Sequence, residues 1–220
     1  MSDVKHLVFV NENINLDQSL ISKSLEGSEI FELSSKLDGI WQIEAIAATY
    51  NNLESIQIVS HGNVGQLNLG DMTLTGDNLD QYAPGLSNIG NSLSKDGDIV
   101  LYGCNVASSA EGEAFVLGIA KNTGKDVFAS TDITGSNQLG ANAVLEFKVG
   151  NLDTETIEEN AFQENLYSWS NPIKTAALKT LADTHMSDNK YNYLEMRTLL
   201  EEAAKGGITS DEFTDLKQIY

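Results

Sequence analysis

Two residues that can act together in nucleophilic catalysis each follow an apolar run of this sequence. His61 comes directly after the run at 55–60 and is followed by Gly62, and Cys104, the only cysteine of the chain, comes directly after the run at 98–103. A cysteine attacks a carbonyl carbon as its thiolate, and a nearby imidazole assists by accepting and returning the proton. The two positions therefore indicate a cysteine nucleophile with a histidine as general acid–base.

The elements that must position this pair follow from the pattern of apolar residues. Both runs are short, rich in β-branched residues and bounded by turn residues, which is typical of strands buried in a parallel sheet. Strands are predicted at 6–10, 29–33, 55–60, 98–103, 126–131 and 143–149, helices at 17–26, 38–50, 86–93 and 111–121, and a hairpin-like flap at 63–74. This alternation predicts an α/β fold whose mostly parallel, six-stranded sheet carries helices on both faces. Ligands of such sheets bind beyond the carboxyl ends of the strands, where the histidine and the cysteine stand.

Composition excludes several classes of partner. The chain has 220 residues and a net charge of −19, and Arg197 is its single arginine. A field of this sign repels phosphate backbones and anionic lipids, so we expect no nucleic acid partner. No apolar run approaches the ~20 residues of a membrane span, so we expect no membrane insertion. The start of the chain has no signal-peptide pattern, which predicts a cytoplasmic protein or one secreted without such a signal.

Metal and cofactor sites are not expected either. One cysteine and three histidines provide no zinc-ligand spacing. Residues 201–212 have the outline of a calcium loop, but Ala203 and Lys205 stand where oxygen ligands are required. The sequence therefore predicts no metal ion and no cofactor.

The C-terminal part changes to helical spacing. We predict a domain at 1–151 and a small helical extension at 152–220, with a helix at 154–166, a linker at 167–172 and a degenerate, EF-hand-like helix-turn-helix at 193–219.

Several stretches carry a family resemblance. Residues 59–62, 67–70, 97–107 and 129–135 are similar to a bacterial domain of unknown function that occurs near the N-terminus of giant surface adhesins with cadherin-like repeats. A strand ending in His-Gly and a later strand ending in Gly-Cys also resemble the caspase-like fold of clan CD cysteine peptidases. In that fold the catalytic histidine follows the third core strand and the cysteine follows the fourth.

The resemblance assigns roles to individual residues. Cys104 is the nucleophile, His61 protonates the leaving amine, and the backbone N–H groups of Cys104 and Gly62 hold the oxyanion. Gly103 relieves crowding at the turn of the nucleophile. The implied substrate is a peptide or protein, including the chain itself or a linked adhesin.

Two further positions have alternative interpretations. Asp132, at the end of the fifth strand, either lines a specificity pocket for lysine or arginine or caps a turn. The stretch containing Tyr167, Ser168 and Trp169 is either a self-cleavage region or a set of aromatic anchors for the tail.

Three functions remain open on the sequence. The first is a cysteine endopeptidase, the second a non-catalytic structural or interaction module of a surface adhesin. The third is a flavodoxin-like binding domain, although residues 11–13 provide no glycine-rich phosphate loop after the first strand.

Overall fold

A computed structural model describes residues 4–12 and 14–166. These residues belong to a compact unit that spans Met1–Ser168. The predicted linker at 167–172, its Tyr167, Ser168 and Trp169, and the predicted helix-turn-helix at 193–219 lie outside the described residues.

The elements follow the predicted alternation of strands and helices. In chain order they are β1 (His6–Asn11), α1 (Gln18–Ser24), β2 (Ser28–Leu33), α2 (Gly39–Ala47), β3 (Leu53–Val59), β4 (Gly62–Asn63), β5 (Gln66–Leu69), β6 (Met72–Thr75), α3 (Leu79–Ser92), β7 (Leu93–Tyr102), α4 (Ser109–Thr123), β8 (Asp126–Ala129) and β9 (Phe147–Val149), with single 3-10 turns at Asn137–Leu139 and Glu159–Ala161.

The main sheet has six strands in the order β2-β1-β3-β7-β8-β9. The first five run parallel, and β9 pairs antiparallel to β8 at one edge. The predicted α/β class and mostly parallel six-stranded sheet are therefore confirmed. The sixth strand is shorter than predicted, since only Phe147–Val149 of the stretch at 143–149 pairs.

Helices cover both faces, as predicted, because the chain reverses its direction across the sheet. The connection from β1 to β2, which contains α1, leads toward one edge of the sheet. The connections from β2 to β3, from β3 to β7 and from β7 to β8, which contain α2, α3 and α4, lead toward the other edge. Right-handed crossovers place helices of opposite steps on opposite faces. Ile21 of α1 accordingly packs in one apolar cluster with Val8 and Val100, while Ile43 of α2 and Phe115 of α4 pack in the other. None of the described helices is long and apolar enough to cross a membrane.

The predicted hairpin at 63–74 is present as a three-stranded antiparallel flap formed by β4, β5 and β6. Gly70 makes its turn with a φ of 63°, a conformation that glycine adopts without steric cost. The Gly70 N–H donates a hydrogen bond of 2.8 Å to the Asn11 side chain at the end of β1. The flap is thereby attached to the carboxyl edge of the main sheet.

The stretch at 150–166 differs from its prediction. The predicted helix at 154–166 is wrong, because only a single 3-10 turn forms there. Ile157, Ala161, Phe162 and Leu166 are instead buried in the apolar cluster on the α1 face. Residues 152–166, predicted to begin a separate extension, thus belong to the same compact unit as the sheet.

Candidate active site

The two strand ends that carry His61 and Cys104 lie side by side. β3 and β7 are parallel neighbours with Val59 opposite Tyr102, and the Ser60 N–H donates to the Tyr102 carbonyl at 3.0 Å. His61, two residues after the end of β3, and Cys104, two residues after the end of β7, therefore both lie at the carboxyl edge of the sheet.

Gly62 and Gly103 allow the two strand ends to approach closely. A Cβ atom at Gly62 would come within 2.7 Å of the Val106 side chain and 3.1 Å of the Cys104 carbonyl oxygen. A Cβ at Gly103 would meet the side chains of Leu67 and Val106 at 3.0 Å. A side chain at Gly62 would require Val106 to move, and one at Gly103 would be in tight contact with Leu67 and Val106.

The turn after Cys104 is held by the loop that follows β8. Asn105 adopts a left-handed conformation with φ 58°, which asparagine tolerates better than most residues. Its N–H donates to the Asp132 carbonyl at 2.7 Å, and the Ala107 N–H donates to the Ser130 carbonyl at 2.9 Å. These bonds determine where the cysteine leaves the sheet.

The Cys104 thiol is completely buried, with 0% of the residue exposed. It donates a hydrogen bond of 3.4 Å to the Thr134 carbonyl. Burial raises the pKa of the thiol to about 12, the Asp132 carboxylate contributes in the same direction, and backbone hydrogen bonds from Thr134 and Leu166 oppose the rise. In this conformation the sulfur is therefore protonated at neutral pH.

His61 is partly buried, and the flap holds its backbone. Its carbonyl accepts a hydrogen bond of 3.0 Å from the Asn68 N–H. Its Nδ1 atom is buried and forms no hydrogen bond with any residue that the structure describes. This ring nitrogen is available for a proton or for a group bound in the site.

Asp132 lies at the rim of the site and is exposed. Its carboxylate accepts hydrogen bonds from the Asn142 side chain at 3.0 Å and from the Ser130 hydroxyl at 3.1 Å. These contacts order the loop after β8. Recognition of a basic side chain by Asp132 stays a prediction.

Residues 164–166, which were predicted to belong to a helix, instead lie beside the candidate site. Residues 164–166 run along the loop after β8, and Leu166 is 0% exposed. The Leu166 carbonyl accepts a hydrogen bond of 3.3 Å from the Gly62 N–H, the group predicted to hold an oxyanion. No local signal could reveal this contact, because it joins residues about 100 positions apart.

His6 stands at the opposite, amino edge of the sheet. Its Nδ1 pairs with the Ser55 hydroxyl at 2.9 Å, and burial lowers its pKa. Across residues 4–12 and 14–166, no three His, Cys, Asp or Glu side chains form a group that could hold a metal ion.

Comparison with known proteins gives one family. The family model described as "Domain of unknown function (DUF4347)" matches residues 7–169, and no curated protein matches the chain. Among solved structures, one titled "Crystal structure of a small-chain dehydrogenase" is similar at 12% identity and a TM-score of 0.31, over 54% of this chain and 77% of that one. Because the match covers most of the chain and includes both strand ends, the chain belongs to the family described as Domain of unknown function (DUF4347).

Proposed function

We propose that this domain is a cysteine endopeptidase of the caspase-like type, with Cys104 as nucleophile and His61 as general acid–base. One observation carries the proposal. At the edge of the sheet where β3 and β7 end side by side, the Gly62 N–H already binds the carbonyl oxygen of a peptide group, that of Leu166, at 3.3 Å.

The chemistry needs an N–H group aimed at the oxygen on which negative charge develops. Gly62 supplies one such donor, and the absence of a side chain there lets a peptide backbone approach. The neighbouring loop at 134–136 offers backbone groups that bind an extended chain as an added strand, a common mode of peptide recognition. Both features suit a protein substrate better than a small molecule.

The proton on the sulfur must leave for attack to occur. A pKa raised to about 12 leaves a negligible thiolate fraction at neutral pH, so proton transfer has to accompany nucleophilic attack. We assign this proton transfer to the Nδ1 of His61, which has no hydrogen-bond partner among the described residues, and the protonated ring then supplies the proton for the departing amine. Displacement of residues 164–166, which pair with the loop after β8, would also reduce the burial that raises the pKa of Cys104.

The resemblance to domains of giant surface adhesins provides a biological setting. A domain of this kind would process a protein to which it is linked, or its own chain. We therefore propose a role in the maturation or release of a bacterial surface protein.

A second candidate function is a non-catalytic interaction module of such a surface protein. The burial of Cys104, whose thiol has no exposed surface, favours it. An inert buried cysteine packs as a small apolar side chain and needs no histidine partner.

Peptidyl acyloxymethyl ketone probes test the choice between the two. We expect the full chain to be labelled on its single thiol, the Cys104→Ala chain not to be labelled, and the His61→Ala chain to react at least about tenfold more slowly. His6→Ala is the matched control, because it removes a buried imidazole from the other edge of the sheet. Equal slow labelling of the wild-type, His61→Ala and His6→Ala chains would favour the non-catalytic module.

A further inference from the structure

Residues 164–166 lie beside the candidate active site and pair with the loop after β8. Residues 164–166 run antiparallel to residues 134–136, joined by backbone hydrogen bonds of 3.1 and 2.8 Å and by the bridge between Gly135 and Asn165. An extended peptide held by its main chain beside a nucleophile has the arrangement of a bound substrate.

Leu166 is the residue that this segment presents to the nucleophile. The Thr134 carbonyl accepts hydrogen bonds from both the Leu166 N–H, at 2.8 Å, and the Cys104 thiol, at 3.4 Å. The sulfur and the Leu166 backbone therefore share one acceptor. On its other side, the Leu166 carbonyl accepts the hydrogen bond of 3.3 Å from the Gly62 N–H. The Leu166 peptide group is thus held between the Gly62 N–H, after the strand end that precedes His61, and the carbonyl that accepts the thiol hydrogen bond.

The side chain of Leu166 fills an apolar position. It is 0% exposed and belongs to the cluster that contains Val59, Tyr102 and Phe162. Asp132, by contrast, is exposed and hydrogen-bonded to Asn142. The subsite on the acyl side of the bond therefore favours a leucine-like side chain over a basic one.

We propose that the domain cuts its own chain at the peptide bond between Leu166 and Tyr167, and that its site selects a leucine-like residue before the cut. This inference rests on the proposed peptidase function and names its substrate. The sulfur of Cys104 gives an electron pair to the Leu166 carbonyl carbon, forming a C–S bond, while its proton passes to His61. The C–N bond then breaks, and the nitrogen of Tyr167 leaves as an amine with that proton.

Water completes the reaction. Its oxygen adds to the thioester carbon, the C–S bond breaks, and one proton of the water returns to the sulfur. The products are a chain ending in the Leu166 carboxyl group and a fragment beginning with the Tyr167 amine. No oxidant or reductant takes part.

The test is mass spectrometry of the purified full chain after incubation, beside Cys104→Ala and His61→Ala. We expect fragments 1–166 and 167–220 from the wild-type chain and an intact Cys104→Ala chain. Added hydroxylamine should divert the thioester and leave a hydroxamate on Leu166. If the chain is cut at a different peptide bond, and the cut still requires Cys104, the assignment of the cleaved bond is wrong but the peptidase function stands.

The same samples separate failure of this inference from failure of the peptidase. An intact wild-type chain whose Cys104 still reacts with the peptidyl probes in a His61-dependent manner would overturn self-cleavage alone. An intact chain that is also unreactive would overturn both proposals.

Variants at Leu166 test the selection of the side chain. We expect Leu166→Met to retain cleavage and Leu166→Lys to slow it at least about tenfold, because an apolar subsite rejects a charged group. Leu25→Ala is the control, since it removes a buried leucine from the same cluster near the opposite edge of the sheet. Faster cleavage of Leu166→Lys than of wild type would overturn the apolar subsite, and a loss of cleavage in Leu25→Ala equal to that in Leu166→Lys would assign the effect to lost packing instead.

Discussion

At the scale of single residues, the reactivity of the Cys104 thiol depends on the residues that bury it. The thiol is buried under its own chain, and burial is the main cause that raises its pKa to about 12. Leu166 packs in the same apolar cluster as Cys104, and its N–H shares the Thr134 carbonyl with the thiol. Reactivity of the thiol should therefore respond to Leu166 as much as to His61.

The first prediction concerns how far Leu166 shields the Cys104 thiol from solvent. In a His61→Ala background, which retains the thiol but lacks the proposed proton carrier, we expect Leu166→Ala to raise the rate of iodoacetamide labelling at pH 7.5 at least about tenfold. The reason is that truncation exposes the sulfur to water and lowers its pKa. Mass spectrometry monitors the labelling. Leu25→Ala is the control for a general loosening of the apolar cluster that contains Cys104 and Leu166. Unchanged labelling would mean that Leu166 does not shield the thiol.

A second prediction concerns Asp98 on β7, a buried carboxyl that the proposed chemistry does not use. Burial raises its pKa from 3.8 to about 6, against hydrogen bonds from the backbone of Asp153 and Thr154. Because the folded pKa lies above the unfolded one, the stabilisation is complete below the unfolded value and is lost as pH rises through about 6. We expect Asp98→Asn to gain about 2 to 3 kcal/mol in free energy of unfolding relative to wild type between pH 4 and pH 7.

Urea unfolding of both proteins across this pH range checks the prediction about Asp98. Asp96→Asn is the control, because the Asp96 side chain is 74% exposed and its replacement should leave the pH dependence unchanged. Parallel pH profiles for wild type and Asp98→Asn would contradict the expectation.

At the scale of elements, the flap connects the histidine to the end of β1. The Asn68 N–H of β5 holds the His61 carbonyl, and the Gly70 turn is tied to Asn11. The flap therefore supports the loop that carries the imidazole while leaving the ring nitrogen unpaired.

The third prediction compares two glycines with the same left-handed backbone. Gly70 and Gly124 have φ values of 63° and 66°, but a Cβ at Gly70 would lie 2.1 Å from the Leu37 carbonyl, whereas Gly124 has nothing within 4 Å. We expect Gly124→Ala to lose about 1 to 2 kcal/mol from backbone strain and Gly70→Ala to lose a further 1–3 kcal/mol, roughly, from overpacking. Urea unfolding measures both, and equal losses would show that the turn can relax without cost.

At the scale of the whole molecule, the irregular stretch after β9 completes one face of the sheet. α1 covers only part of that face, and the apolar side chains of residues 157–166 fill the rest of the cluster. Tyr102 connects the two parts: its hydroxyl donates to the Gln57 side chain at 3.2 Å and accepts from the Ile157 N–H at 2.8 Å, and its ring packs on Phe162.

The fourth prediction tests this connection. Tyr102→Phe removes the hydrogen-bond partner of the buried Ile157 N–H and the donor to the Gln57 side-chain oxygen, so we expect a loss of about 1 to 3 kcal/mol in free energy of unfolding. Amide hydrogen exchange of residues 157–166 should accelerate more than exchange in β1. Tyr50→Phe is the control, because the Tyr50 hydroxyl bonds the exposed Glu29 carboxylate and its removal should cost less than about 0.5 kcal/mol. Uniform acceleration throughout the sheet would mean that the segment is not separately anchored by Tyr102.

Elements whose signals are local were predictable from the sequence. Asp17 and Asp38 accept hydrogen bonds from the first turns of α1 and α2, as their positions before apolar helical spacing indicate. α3 was predicted only from residue 86, yet it begins at Leu79 and includes Pro84. Packing of Leu79 and Leu86 into the core outweighs the low helix propensity of proline, and that balance is a tertiary property.

By itself, the sequence determined the parallel α/β sheet and the positions of His61 and Cys104 after strand ends. The spacing of apolar residues and the residue types that form turns are properties of neighbouring residues, so they can be read locally. Only the tertiary structure decided that β3 and β7 are adjacent, that Cys104 is buried, and that Leu166 belongs to an irregular segment paired with the loop after β8 rather than to a helix. The apolar positions at 157, 161, 162 and 166 suit either a helix face or an irregular segment on a sheet. The choice depends on whether distant backbone groups, those of Gly62 and Thr134, are present to satisfy the N–H and C=O groups of that segment.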